Sequence, residues 1–163
     1  MEVDLDNLIK ISKETFVTAF EKNNDPGDFE RYINSAFRKE KMETEFKNKD
    51  SHFYFVYSNE ELIGYFKLNM KEAQTDIQDE NAMELERIYV IAAYQSKGIG
   101  AWMLKQVIGL GKKFEVDYIW LGVWEHNPAA IKFYQKHGYK KFGTHPYLIG
   151  TDKQTDWLMR LEL

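Results

Sequence analysis

The sequence predicts a single α/β domain, residues 1–163, built on a mixed sheet. Three observations point there. Runs of aromatic and β-branched residues interleave with stretches of helical spacing. Two strand–turn–helix units follow one another in the C-terminal half, over residues 83–107 and 119–139. With 163 residues, 15 % of them aromatic, the chain is large enough for a real core and unlike a disordered composition.

The elements follow in order. Leu5, Leu8, Ser12, Thr15, Phe16, Ala19 and Phe20 recur at helical spacing, so residues 5–21 read as an amphipathic helix. The segment NNDPGD, residues 23–28, reads as a breaker. Residues 29–37 and 41–47 read as two short helices. HFYFVYS (52–58) and ELIGYFKLN (61–69) read as a hairpin turning at Asn59-Glu60. A strand starts at Met83. Plain alternation puts Glu84, Glu86, Ile88 and Val90 on one face and Leu85, Arg87, Tyr89 and Ile91 on the other. Ile99, Trp102, Met103, Val107, Leu110 and Phe114 form the apolar stripe of the next helix. Gly109 and Gly111 each cost that helix about 1 kcal/mol relative to Ala, and only close packing on a sheet accounts for them. Residues 118–124 read as a strand. Asn127 then caps a helix with Pro128 in its first position, and Gly138 ends it. Residues 139–149 and 154–162 read as a closing pair of strands.

Between the strand at 83 and its helix lies Gln95-Ser96-Lys97-Gly98-Ile99-Gly100. A turn of this kind at a helix start is an anion cradle, with converging free amides and the positive end of the helix dipole. Gly98 and Gly100 let backbone approach a phosphate closely. A dinucleotide fingerprint would need a third glycine where Met103 stands, and the Gly-Lys-Ser/Thr of a P-loop is absent.

Composition narrows the function. Without cysteine there is neither disulfide nor thiol nucleophile. The four histidines lack metal-ligand spacing, so no metal is expected. No apolar run approaches a membrane span and no signal peptide is visible, so a cytoplasmic location without membrane attachment is expected. Residues 1–86 carry 20 Asp+Glu against 11 Lys+Arg, a net −9; residues 87–163 carry 6 against 11, a net +5. The basic half holds the cradle, and the acidic half favours a cationic second ligand. Nucleic acid is disfavoured as a partner by the overall charge of −4.

The Q-x-x-G-x-G turn resembles motif A of the GCN5-related N-acetyltransferases (GNAT), and IWLGVWEHNPAAIKFYQKHGY, residues 119–139, is similar to the second half of that signature. The resemblance implies a mostly antiparallel sheet flanked by helices and splayed between the motif A strand and the one after it. It implies acetyl-CoA, its pyrophosphate held by Gln95, Ser96, Lys97, Gly98, Ile99, Gly100 and Ala101, with Lys136 adding positive charge. Backbone groups of Ile88, Tyr89 and Val90 would pair with the pantetheine amides, and Asn127 and Tyr134 would contact the same ligand. The family usually opens with a strand before its first helix; little precedes Leu5, so that strand is expected to be missing or very short.

Acetylating an amine requires a neutral nucleophile. With a pKa of about 10.4, a primary alkylamine lies roughly 4 to 5 kcal/mol from its neutral form at pH 7. Glu86 matches the position of a catalytic Glu in polyamine acetyltransferases of the family and is the candidate proton acceptor. Tyr134, in the A-x-x-F-Y pattern, is the candidate acid for the departing thiolate. Glu84 and Trp124, with Phe16 and Phe20, are candidates for the substrate side. The segments ETFVTAF, LERIYV, IWLGVWEHN and QTDWLM resemble PaiA-type spermidine/spermine acetyltransferases, which implies a small-molecule amine, a polyamine, as acceptor. Two alternatives stay open: acetylation of a protein N-terminus or lysine, and a non-catalytic module that binds acyl-CoA to regulate a partner. A homodimer is left open as well.

Overall fold

The computed structural model describes the backbone of residues 2–163 and all side chains within them except those at positions 2, 3, 23, 147 and 149. The first helix is α1 (Glu2–Phe20), followed by α2 (Pro26–Ala36) and α3 (Lys39–Lys47). The expected breaker is therefore shorter than read: Asp25 caps α2, its Oδ1 accepting from Asp28 N–H at 3.0 Å, and Pro26 occupies the first turn, where it has no helical bond to lose. β1 (Ser51–Ser58) and β2 (Glu61–Met70) form the expected hairpin. Asn59 and Glu60 sit at φ 48° and 70°, the two left-handed residues that a tight two-residue hairpin turn requires. Then come β3 (Ala82–Val90), α4 (Ile99–Lys113), β4 (Tyr118–Trp124), α5 (Pro128–Lys136), β5 (Lys140–Ile149) and β6 (Asp152–Glu162). Among the described residues no strand precedes α1, and no helix is long and apolar enough to cross a membrane.

The six strands form one sheet in the order β1-β2-β3-β4-β6-β5. Every pairing is antiparallel except β3–β4, which is parallel and has three pairs: Ala82–Tyr118, Met83–Ile119 and Glu84–Trp120. Beyond Glu84 the two strands part, so the sheet is splayed where the family resemblance implied.

One expectation is corrected at β3. Its pairing with β2 runs Lys67–Arg87 and then Leu68–Leu85, so Glu86 is an extra residue, a β-bulge. The bulge shifts the alternation. Ile88 and Val90 join Met83 and Leu85 in the core under α4 and α5, while Glu84, Glu86 and Arg87 turn toward the α1–α3 side, with Tyr89. The stripe on α4 is corrected too. Met103, Leu104 and Val107 fill the core, whereas Trp102 is 50 % exposed. Gly111 has the packing reason expected of it: a Cβ there would stand 2.8 Å from Leu163 Cδ1 and 3.2 Å from Ile119 Cδ1. Gly109 faces open space, and nothing in the structure explains it.

Candidate active site

A cleft of about 510 Å³ opens where β3 and β4 part. Its walls come from β3, from the faces of β4 and β6 opposite α4, from the C-terminal end of α1 and from the start of α5. Ile88, Tyr89, Glu84, Glu86, Trp124, Asn127 and Tyr134 all line it, as do Phe16 and Phe20. Of the residues predicted from sequence, Val90, the turn 95–101 and Lys136 lie outside this lining.

The turn sits beside it, at the start of α4. Gly98 adopts φ 79° and no side chain caps the helix. The first helical bond runs from Trp102 N–H to Gly98 O at 3.1 Å, so the amides of Ile99, Gly100 and Ala101 have no helical acceptor. A Cβ at Gly98 would meet nothing within 4 Å. Uncapped amides facing open space fit a phosphate-bearing ligand, with the dipole of a 15-residue helix behind them. Gly100 lies against the Phe133 ring, where a Cβ would stand 3.4 Å from Cζ, and this contact joins the turn to the helix carrying Tyr134. Lys97 rests over the Tyr94 ring at 5.3 Å. The start of α5 differs: Asn127 Oδ1 accepts from Ala130 N–H at 3.2 Å and closes that helix end.

Alternation also accounts for the backbone of β3. Ile91 N–H donates to Ile63 O at 2.9 Å, so Ile91 and Tyr89 bond toward β2, and the polar groups of Ile88 and Val90 point into the splay. The Val90 carbonyl already accepts from Gln95 Nε2 at 3.0 Å; the Ile88 groups are left for a ligand.

Tyr134 lies among Phe133 and Tyr139, with ring centroids at 5.4 and 5.7 Å. Burial pushes its phenol well above the usual tyrosine range. It therefore keeps its proton throughout the neutral range, as an acid must.

The β3 carboxylates are heavily engaged. Glu84, 3 % exposed, accepts from Asn69 Nδ2 (2.9 Å), Thr75 N–H (2.8 Å) and Thr75 Oγ1 (2.5 Å). Burial and the neighbouring charge of Glu86 push its carboxyl up, against those hydrogen bonds. Glu86 meets Lys67 Nζ at 2.5 Å, Asn69 Nδ2 at 2.7 Å and Arg87 Nη2 at 3.5 Å. Burial alone would raise its pKa, but the charges of Arg87 and Lys67 outweigh burial and hold the carboxyl below its ordinary value. Glu45 on α3 completes the group, 3.2 Å from Lys67 and 3.0 Å from Arg87. Glu86 is thus in the cleft, as expected, but as the centre of a neutralised ion-pair cluster.

The opposite wall holds residues that the sequence reading passed over. His145 Nδ1 meets Asp76 at 2.7 Å. Trp124 Nε1 donates to Gln154 Oε1 at 2.6 Å, and Asp156 lies between Trp124 on β4 and His145 on β5 in the strand register. The signal for Asp156 was Gly122: a glycine inside a strand marks a close approach, and a Cβ there would stand 3.3 Å from Asp156 Oδ2. Among the described residues no group of His, Cys, Asp and Glu is placed to hold a metal.

Comparison with known proteins agrees with this geometry. The family model described as Acetyltransferase (GNAT) family matches residues 9–139. An uncharacterised N-acetyltransferase of Lactobacillus delbrueckii subsp. lactis is 36 % identical over 162 residues, covering 99 % of this chain and 94 % of its own. The spermine/spermidine N(1)-acetyltransferase of Bacillus subtilis is 28 % identical over 96 residues, 56 % of this chain and 63 % of its own. The crystal structure of a PaiA N-acetyltransferase of Thermoplasma acidophilum, in complex with coenzyme A, superposes with a TM-score of 0.76 at 24 % identity, covering 98 % of this chain and 93 % of that one. At that identity the likeness speaks for the fold alone. The chain belongs to the GNAT family of acetyltransferases, enzymes that take their acetyl group from acetyl-CoA.

Proposed function

We propose that this acetyltransferase acts on a small amine carrying more than one positive charge, a polyamine such as spermidine or spermine. The observation that carries the reading is the charge of the cleft: Glu45, Asp76, Glu84, Glu86 and Asp156 line it, against the cations Lys41 and Arg87. Even with Lys67 buried behind Glu86, acidic groups are in excess, and Phe16, Phe20, Tyr32 and Trp124 offer rings for the methylenes and ammonium groups of such a chain. Similarity to the Bacillus subtilis spermine/spermidine enzyme supports the same class.

Acetyl-CoA supplies the thioester when bound. The turn 95–101 holds its phosphates, and the backbone of Ile88 pairs with its amide-bearing arm. Tyr134 holds the proton that the departing sulfur needs. Glu86, tied to two cations, fixes the bulge and with it the direction of β3. Lys136, exposed in the last turn of α5, adds positive charge near the phosphates.

One observation favours a second acceptor class. Arg87 lines the cleft, and its Nη1 is buried without a hydrogen-bond partner. An amine that also bears a carboxylate, such as an amino acid or a peptide, would satisfy it.

A panel of polyamines, monoamines and amino acids, scored by free thiol release from acetyl-CoA, tests the reading. The KM for spermidine should rise with salt more steeply than that for a monoamine of similar length, because screening over about 8 Å at physiological salt acts on each charge. Equal salt dependence for both, or preference for an amino acid, would sink the polyamine assignment.

A further inference from the structure

Five carboxylates line the cleft, and four of them are already committed. Glu84 is held by Asn69 and Thr75, Glu86 and Glu45 by Lys67 and Arg87, and Asp76 by His145. Among the described residues Asp156 is the exception: it accepts no hydrogen bond and joins no ion pair. It projects from the middle of β6 over Gly122 of β4, where the missing side chain leaves room for its carboxylate. Leu158 and Trp120 on the same face give it an apolar surround.

We propose that Asp156 is the proton acceptor for the amine. This deepens, and rests on, the reading of the cleft as an amine acetylation site. The charged groups that face Asp156 are His145 on β5, with its partner Asp76, and Glu125 after β4; Glu84 and Glu86 stand across the cleft on β3. Burial pushes the Asp156 carboxyl up to about 6, with His145 pulling it down and Glu125 pushing it up. A base poised there is ionised at neutral pH and still able to hold a proton, whereas the charges of Arg87 and Lys67 hold the Glu86 carboxyl below its ordinary value and already occupy it.

The protons balance. The ammonium gives one proton to Asp156, which releases it to water. The freed lone pair forms the N–C bond as the C–S bond breaks, and the electron pair of that bond leaves with sulfur. Sulfur takes the Tyr134 proton, and the second proton of the nitrogen restores the phenol.

Asp156→Asn preserves shape and removes the base. With the best amine of the panel, kcat/KM should fall about 10²- to 10⁴-fold. The acid limb of the wild-type profile near pH 6 should vanish, and the deficit should shrink as pH rises toward the amine's own pKa. Acetyl-CoA affinity by calorimetry should not move. Calorimetric spermidine binding should weaken below pH 6 in the wild type and lose that dependence in the variant. His145→Gln removes the imidazole that pulls the Asp156 carboxyl down and frees Asp76, so the acid limb should move to higher pH. An active wild type whose rate and acid limb survive in Asp156→Asn overturns the role of Asp156 and leaves amine acetylation standing. A wild type that releases thiol with no amine in the panel overturns the acetylation reading and the role of Asp156 together.

Discussion

The two strand–turn–helix units of this chain share a plan and end differently. In β4–α5 the Asn127 side chain closes the helix start; in β3–α4 the start is a glycine at φ 79° with nothing over it. One unit has its helix start capped by a side chain and carries a tyrosine about two turns beyond that cap; the other leaves its amides open. On the proposed reading the contrast separates two jobs, holding the phosphates at α4 and supplying a proton at α5, and each can be broken without the other.

The largest expected effect is at the closed unit. Tyr134→Phe removes only the donor oxygen, so kcat should fall about 10²- to 10⁴-fold while acetyl-CoA affinity, by calorimetry, stays put. Because burial raises the phenol above the usual tyrosine value, Tyr134 loses its proton only above about pH 10. The wild-type rate should therefore show no alkaline loss from this group between about pH 7 and pH 9. An unchanged kcat with chemistry rate-limiting would return Tyr134 to packing.

Next comes Gly98→Ala. The protein offers its Cβ open space, so the fold bears only the cost of a left-handed alanine, about 1 kcal/mol. On the proposed reading the same methyl occupies space a phosphate needs. The Kd for acetyl-CoA should rise about tenfold, ~1.4 kcal/mol, with kcat at saturation little changed. If kcat collapses and Kd does not, the division of labour is wrong.

Asn127→Ala should lower stability by about 1 kcal/mol, read as a shift in denaturant midpoint, since the cap is lost. A much larger loss of acetyl-CoA affinity than of stability would give Asn127 a role in ligand contact as well.

The smallest effects compare two glycines inside α4. Gly109→Ala should stabilise by up to about 1 kcal/mol, because its Cβ enters open space on a helix. Gly111→Ala should gain nothing or lose, because Leu163 and Ile119 must shift. Matching midpoints for both would dismiss the packing account.

Most of the architecture was legible in the sequence because it is local. Asn127-Pro128 and Gly138 mark α5 at both ends, and the two-residue turn of the first hairpin announces itself. The splay was read only through a family likeness. What escaped depends on pairing between distant segments. Nothing within MELERIYV says that Glu86 bulges; that follows from how β3 lies on Lys67 of β2. The bulge is why Ile88 and Val90 face the core, against plain alternation. Nor does QTDWLM single out its aspartate. Asp156 becomes a site residue only when β6 lies against β4 and Gly122 comes beneath it. Trp102 sits at helical spacing yet stays in solvent, since the sheet is met by Leu104 instead.

The three-rung seam between β3 and β4 has a mechanical consequence. The neighbouring seams, β2–β3 and β4–β6, each have seven pairs, so the sheet is two stiff plates with a weak fold line between them. Helix α4 lies across that line: it contacts both β3 and β4, with Met103, Leu104 and Val107 driven into the core and Gly111 against Ile119. It acts as a rivet. On the proposed reading its first turn is also the phosphate cradle, so a ligand there pulls on an element that spans both plates. Loosening the rivet with Val107→Ala should speed amide exchange at Met83 and Ile119 before it does so in the β5–β6 hairpin, and acetyl-CoA should slow it again.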